Sequence, residues 1–383
     1  MTLSLARIFR IGFLIISLLF VAWLSPSARN VAAAPAAAMS TDEPEPPNDF
    51  EVTGRVIYVN ANNINTAYIS GVTVTGTGSP MVQTVTYPQG FLAGQYTLTG
   101  FGWGAYTISL SKTSGVNGIN SLDAARVIQH VTGYSLFTTT SQLAAADVTG
   151  NGIVTSQDAA KIAQWVVNLP FSPPNYTGKW SFYLPPGPSF PVGASAASRS
   201  YFSVTSNISD ADYIGILIGE TTGNWNPWGA RPNRLVENTG IERNSADGIT
   251  VDLPNLQVTG REIIVPVVAH GISDKDVASF EFDLRYDPSI IQPTSLPATA
   301  RGTVSRGLSV VTNPYEPGLL RVAVYGAMPI NSDGVLLNLH FVPTGTPGTS
   351  SPLTFERIMI GDGESDTRIS NGEVNLFDAS LDN

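Results

Sequence analysis

Alternation of apolar and polar positions opens at Val52 and runs through Gly54, Val56 and Tyr58. It returns at Val72 to Thr75, at Val82 to Tyr87, and most densely where Tyr96 and Leu98, then Tyr106 and Ile108, each take one face of a strand. Gly100, Gly102 and Gly104 supply the turn between the last two. The period then changes. Ala124, Val127, Ile128 and Val131 fall at helical spacing, as do Ala159, Ile162, Ala163 and Val166 with Leu169. Pro170 and Pro173-Pro174 stop the second of these helices. Trp180, Phe182, Tyr201, Phe202, Val204 and the run Tyr213 to Ile218 predict three more strands. From Ile249 onward strand signals recur at short intervals to Leu376, separated by turn residues. Within them Phe280, Phe282, Leu284 and Tyr286 face one way and Glu281, Asp283 and Arg285 the other, which predicts one buried and one wet sheet face.

The fold expected is mainly β and multi-domain: a small N-terminal β-sandwich, a pair of loop-helix repeats, and a C-terminal jelly-roll β-sandwich. The division expected is 1–38 export signal, 39–49 linker, 50–110 first β-module, 111–170 helical module, 171–246 strand-containing connector, and 247–383 sandwich. Hydrophobic residues are 43% and charged residues 13%, enough apolar material for several cores. Net charge is −10, and no Lys/Arg cluster lies outside the extreme N-terminus, so nucleic acid is excluded as a partner. With no cysteine, disulfides, thiolate metal sites and cysteine nucleophiles are excluded.

Arg7 and Arg10 precede an apolar run from Ile11 to Leu24, followed by Ser25-Pro26-Ser27 and an alanine-rich stretch from Val31 to Ala38. This is the pattern of a secretory signal peptide, with Ala36-Ala37-Ala38 one cleavage candidate. The run is shorter than the ~20 residues a membrane span needs, so no stable span is expected after cleavage; an uncleaved anchor is the other reading. The acidic, Pro-rich stretch Thr41 to Asp49 reads as an extended linker.

The segment from Asn120 to Gly133 is echoed from Thr155 to Asn168, with Ser, Asp, two Ala, Gln and Val recurring at matched positions. Such a duplication marks a repeated loop-helix unit. Before the second helix, Asp147, Thr149, Asn151, Thr155 and Asp158 offer side-chain oxygens at loop positions 1, 3, 5, 9 and 12, with Gly152 at 6 and the Ile153 carbonyl at 7. That spacing wraps oxygen ligands around one calcium ion. The first loop is a residue shorter. Asn117, Asn120 and Asp123 remain, only one of them a carboxylate, so this loop is expected to be weak or metal-free.

The duplication, the loop spacing and the following helix together resemble a type I dockerin. The resemblance implies calcium as cofactor and a cohesin-bearing protein as partner, contacted at Ser121 and Leu122 and at Ser156 and Gln157. Ser121 and Ser156 also read as helix caps. The C-terminal part resembles a cohesin through Arg261 to Val268, Phe280-x-Phe-x-Leu-x-Tyr286-Asp287-Pro288, Gly318 to Ala323 and Gly334 to Phe341. It implies a jelly-roll fold and a dockerin-bearing partner. Residues 50–110, with paired Gly-x-Tyr motifs, resemble a Cna-B or transthyretin-like module of bacterial surface proteins, which implies a stalk.

Glu220 to Trp225 echoes the start of the calcium loop, but Arg231 stands where an acid would close it, so a plain turn is favoured over a cation ligand. Trp225 and Trp228 suit either sugar stacking or packing at a domain junction. His130, His270 and His340 are scattered, no nucleophile motif accompanies them, and no P-loop, Rossmann fingerprint or H-E-x-x-H is present, so no catalytic residues are expected. The function expected is calcium-dependent protein assembly, secreted or at the cell surface, tied to polysaccharide binding or degradation. The alternative is an adhesin whose sandwich binds glycan directly, and a third expectation has the two modules packing on each other as one rigid body.

Overall fold

The computed structural model describes residues 50–377 apart from 61–67, 89, 91–92, 171, 190–197, 230–235, 238–247, 362 and 364–366. The export signal and the 39–49 linker lie outside the described residues. No helix among the described residues is long and apolar enough to cross a membrane.

Five strands come first: β1 (Val52–Tyr58), β2 (Thr73–Thr77), β3 (Val82–Val85), β4 (Gln95–Leu98) and β5 (Tyr106–Ser111). Three helices follow: α1 (Ser121–Val131), α2 (Thr140–Ala146) and α3 (Ser156–Val166). The chain then returns to strands, β6 (Trp180–Tyr183), β7 (Arg199–Tyr201) and β8 (Tyr213–Leu217). These close the first sandwich. Its sheets run β4-β1-β8-β6 and β3-β2-β5-β7. β8 lies parallel beside β1, with Val56 opposite Tyr213, and is buried throughout. A parallel pair cannot be joined by a tight turn, so the helical module sits inside the long connection between its strands. The structure therefore differs from the expected division: residues 180–217 are not a separate connector but complete the sandwich begun at 50–110. The apolar run of β8 carried the clue, because a strand without alternation is buried on both faces and needs neighbours on each side.

The second sandwich comprises β9 (Val236–Glu237), β10 (Ile249–Asp252), β11 (Asn255–Val258), β12 (Ile263–His270), β13 (Val277–Arg285), β14 (Ile291–Thr299), β15 (Ser309–Asn313), β16 (Leu319–Ile330), β17 (Gly334–Pro343), β18 (Ser350–Ile360), β19 (Thr367–Ser370) and β20 (Gly372–Leu376). Its sheets run β14-β17-β12-β10-β19-β9 and β11-β20-β18-β13-β16-β15. Phe280, Phe282, Leu284, Val322, Val324, Phe341 and Phe355 fill the space between them. Pro293 and Pro297 hid β14 from a pattern reading. It is an edge strand, where missing ladder donors are tolerated.

The expectation of a wet outer face on β13 is corrected. Glu281 is fully buried, and so is Ser279. The helical module covers them: α1 lies across β13 and β16, and Ala278, Ala323 and Tyr325 belong to the same apolar cluster as α1 and α3. Glu281 keeps its charge paired there, accepting from the Arg357 guanidinium at 2.5 Å.

Candidate docking and cation-binding site

Each long helix opens in the same way. Asn120 caps α1, its side chain accepting from the Leu122 N–H at 2.8 Å, while Asp123 accepts from the Asn120 N–H at 2.9 Å. Thr155 caps α3 by accepting from the Gln157 N–H at 3.2 Å, and Asp158 accepts from the Thr155 N–H at 2.8 Å. These are reciprocal capping boxes with aspartate in place of the usual glutamate. The bland role foreseen for the serines falls instead to the residues just before them.

The second loop folds back on its helix. Thr149 Oγ1 lies 3.2 Å from Asp147 Oδ1 and 2.9 Å from Asp158 Oδ1, so two carboxylates and a hydroxyl converge, all three buried. Backbone N–H groups hold the carboxylates in place: Asn151 and Gly152 donate to Asp147 at 3.1 and 2.7 Å, and Thr149 donates to Asp158 at 3.0 Å. Gly152, at φ 83°, makes the bend. No Lys, Arg or His among the described residues forms an ion pair with either carboxylate. The donor set suits a hard cation. The Asn151 and Thr155 side-chain oxygens and the Ile153 carbonyl lie on the same loop. Ile153 itself is exposed, and Asn151 Oδ1 accepts from its N–H at 2.9 Å.

The first loop is filled differently. Asn117, Asn120 and Asp123 do not gather around one point: the Asn117 amide exchanges hydrogen bonds with Asn226, accepting at 2.9 Å and donating at 2.9 Å. The missing half of the loop comes from Glu220 to Asn224. Thr222 N–H donates to Asp123 Oδ1 at 3.1 Å, as Thr149 N–H does to Asp158. Thr222 Oγ1 sits 2.9 Å from Glu220 Oε1, as Thr149 Oγ1 sits beside Asp147. Asn224 N–H donates to Glu220 Oε1 at 3.1 Å, matching Asn151 and Asp147. Glu220, Thr222 and Asn224 thus take the places of Asp147, Thr149 and Asn151. The echo read in the sequence is structural, and it completes the first repeat instead of forming an isolated turn. Thr221 N–H adds a further donor to Asp123 at 2.6 Å, and Tyr58 OH donates to Glu220 Oε2. Asp123 and Glu220 are both fully buried, and desolvation pushes each carboxyl up to about 7. Gly118 lets the two segments cross: a Cβ there would lie 2.6 Å from Asn224 Oδ1. Trp225 packs on Tyr58 and Trp180 at ring distances of 4.8 and 5.2 Å, which is junction packing, while Trp228 is exposed.

Residues 121, 125 and 129 share one face of α1, and it is this face that meets the second sandwich. Ser121 N–H donates to Glu281 Oε2 at 2.6 Å, and Gln129 Nε2 donates to the Ala327 carbonyl at 3.3 Å. The same stripe recurs on α3 as Ser156, Ala160 and Gln164. There Ser156 and Gln157 are exposed, whereas Ser121 is buried and Leu122 half-buried. Just past the C-terminal end of α3, Asn313 Nδ2 of β15 donates to the Val167 and Asn168 carbonyls at 2.7 and 3.2 Å.

Two family models match the chain: the dockerin type I domain over residues 116–166 and the cohesin domain over residues 249–376. The chain therefore carries a dockerin type I segment and a cohesin segment, both modules of protein–protein assembly. Among solved structures it is similar to the sixth cohesin of Acetivibrio cellulolyticus scaffoldin B in complex with a Cel5 dockerin mutant, at 22% identity and a TM-score of 0.30, over 34% of this chain and 99% of that one. It is also similar to the Coh-OlpA–Doc918 complex of Clostridium thermocellum, at 20% identity and 0.30, over 34% and 99%. A non-cellulosomal cohesin of Archaeoglobus fulgidus aligns at 24% identity and 0.29, over 34% and 91%. No curated protein matches the chain.

Proposed function

We propose that this chain is a secreted or cell-surface assembly protein whose second dockerin-like repeat binds a cohesin-bearing partner in the presence of calcium. The observation that carries the reading is the difference between the two repeats. The start of α3 stands exposed at Ser156 and Gln157, with Ala160 and Gln164 half-buried, while the matching stripe on α1 is covered. Asp147, Thr149, Asn151, the Ile153 carbonyl, Thr155 and Asp158 would hold the ion. A calcium ion held there would neutralise the charge of the two buried carboxylates. The residues of the loop do the rest: they fix the start of α3, and with it the direction in which Ser156 and Gln157 point. With two carboxylates the affinity belongs at ~10⁻⁴–10⁻³ M.

The first sandwich, completed by β6 to β8, serves as a rigid stalk in this reading, and polysaccharide enters through the enzymes or surfaces such assemblies gather. The protein is read as non-catalytic. Each histidine has a local structural role: His130 accepts from the Phe137 N–H at 3.1 Å and stacks on its ring, His340 pairs with Glu262 at 3.2 Å, and His270 lies 3.8 Å from Asp252.

Calorimetric titration of the full chain with calcium should show a saturable event at one site. Asp147→Ala and Asp158→Ala should each abolish it, and Asp123→Ala should leave it in place. The same chain should be retained on an immobilised type I cohesin in calcium and released by chelator. Retention unchanged by chelator, with heats unchanged in both loop variants, sinks the reading.

A further inference from the structure

We propose that the end of the first sandwich formed by residues 77–81, 99–105 and 200–206 is a docking surface for a neutral polysaccharide. The inference goes beyond the stalk role given to this sandwich and does not rest on the partner bound by the second repeat. Met81, Trp103 and Phe202 are 65, 56 and 97% exposed there. Apolar side chains exposed one at a time are ordinary on a protein surface, but three large ones on adjoining segments are not. One buried residue brings the three segments together. Tyr106, at the start of β5, accepts from the Gly102 N–H at 2.8 Å and donates to the Pro80 carbonyl at 2.9 Å. In the β5–β7 pair it stands opposite Tyr201. Trp103, Met81 and Phe202 are the residues that directly follow Gly102, Pro80 and Tyr201. The segments also meet closely: a Cβ on Gly102 would lie 2.4 Å from the Ser79 carbonyl oxygen, and one on Gly78 would lie 2.5 Å from the Tyr106 ring. Phe101 packs edge-on against Tyr106 at a ring distance of 4.9 Å. The exposed side chains therefore stand on a braced support, and a ligand landing on them has little ordering to impose.

The chemistry around them selects the ligand. The three segments contain no Asp, Glu, Lys, Arg or His, and Gly, Ser and Thr fill most of the places between the apolar residues. The Thr107 and Ser200 hydroxyls lie 3.2 Å apart on the exposed side of the β5–β7 pair, and Phe202, two residues beyond Ser200, falls on that same side. Arg199, the nearest cation along the chain, is turned away onto the Asp212 carbonyl and the Tyr213 ring. An aromatic surface that enters a lipid headgroup layer carries Lys or Arg beside its rings, and this chain has a net charge of −10. The centre of a protein interface pairs its aromatic anchors with Arg, which is also missing here. A pyranose ring needs neither. Its C–H face lies against an aromatic ring, and its hydroxyls exchange hydrogen bonds with neutral hydroxyls and backbone groups.

The test measures depletion of the full-length chain from solution by three insoluble neutral glycans, cellulose, xylan and mannan, and by polygalacturonate as an acidic one. The chain should be retained by at least one neutral glycan and not by polygalacturonate. Retention should survive both high salt and chelator, because no ion pair and no cation takes part. Trp103→Ala and Phe202→Ser should each weaken it about tenfold, and the double variant should abolish it. Phe202 is almost wholly in water, so its replacement reports on binding and not on folding. Trp228→Ala removes an aromatic side chain exposed elsewhere and should change nothing. Ser156→Arg/Gln157→Arg should also leave glycan retention in place, which keeps this result separate from the partner binding assigned to the second repeat. Retention by none of the three neutral glycans overturns the proposal, and so does retention that the double variant leaves unchanged. Binding to phosphatidylcholine vesicles in place of glycan, or self-association that the double variant removes, would assign the surface to a lipid or to a second copy and overturns it as well.

Discussion

Asp123→Ala should cost about 3 kcal/mol of stability, measured as a shift in denaturant midpoint without a change in slope. The carboxylate is fully buried and accepts from the N–H groups of Asn120, Thr221 and Thr222 and from the Thr221 hydroxyl. Its loss strands the Thr221 and Asn120 N–H groups out of water and removes the Asp123 half of the capping box of α1 in the same stroke. Relief of the buried charge offsets part of this, which keeps the figure below the sum of the bonds. The equivalent change at Asp158 breaks the same box on α3, but a solvent-facing loop can rehydrate. Asp123→Ala is thus expected to be the more damaging of the two in chelator. A shift under ~1 kcal/mol would mean that Glu220 to Asn224 does not complete the first repeat.

Glu281→Ala should be of similar size, about 3–4 kcal/mol, because it leaves the half-buried Arg357 guanidinium and the Ser121 N–H facing a hole. Glu281→Ala combined with Arg357→Met should recover much of the loss, since a paired burial is expensive to break and cheap to replace whole. The recovery distinguishes an uncompensated charge from simple loss of packing. Glu281→Ala alone should also loosen α1 from the sheet, read as faster amide exchange at Ser121 and Ala125 than at Ala159 and Ile162.

The buried carboxylates set the direction of pH dependence. Asp123 and Glu220 have folded values near 7, raised by desolvation above their unfolded ones. The folded chain therefore binds more protons than the unfolded chain between about pH 4 and 7, and stability falls as pH rises through that window. Asp287 and Asp333, held below the usual range by hydrogen bonds from Ser289 and from the Gly271 to Ser273 backbone, act oppositely and only below about pH 4. In chelator, the unfolding midpoint should be higher at pH 5 than at pH 7.5. Asp123→Ala should flatten the difference, and a midpoint rising with pH across this range would contradict the burial of the pair.

The ligand-like spacing of the second loop and both modules were legible because their signals are local: a fixed spacing of oxygen-bearing side chains, a duplicated helix, a period-two strand. What was hidden is long-range. The echo at Glu220 to Trp225 was legible, but not that it supplies the missing half of the loop at Asn117 to Asp123, because that match is made in space across about a hundred residues of chain. The alternation through Phe280 to Arg285 is real, yet alternation cannot say whether the polar face meets water or a helix. Glu281 and Ser279 gave a small clue, since β13 becomes polar and small just where α1 crosses it. α2 has no apolar stripe beyond Leu143 and three alanines, so a period search passes over it. The connector strands were recognised as strands, but sheet membership depends on β8 pairing with β1, which no local pattern encodes.

The unequal repeats can be tested in one experiment. Surface binding of the full chain to an immobilised type I cohesin, in calcium, is compared for two paired variants, Ser156→Arg/Gln157→Arg and Ser121→Arg/Leu122→Arg. The exposed pair on α3 should carry the interaction, so its variant should lose binding at least tenfold while the covered pair on α1 changes it little. Loss confined to the α1 variant, with the α3 variant binding as before, would contradict the account.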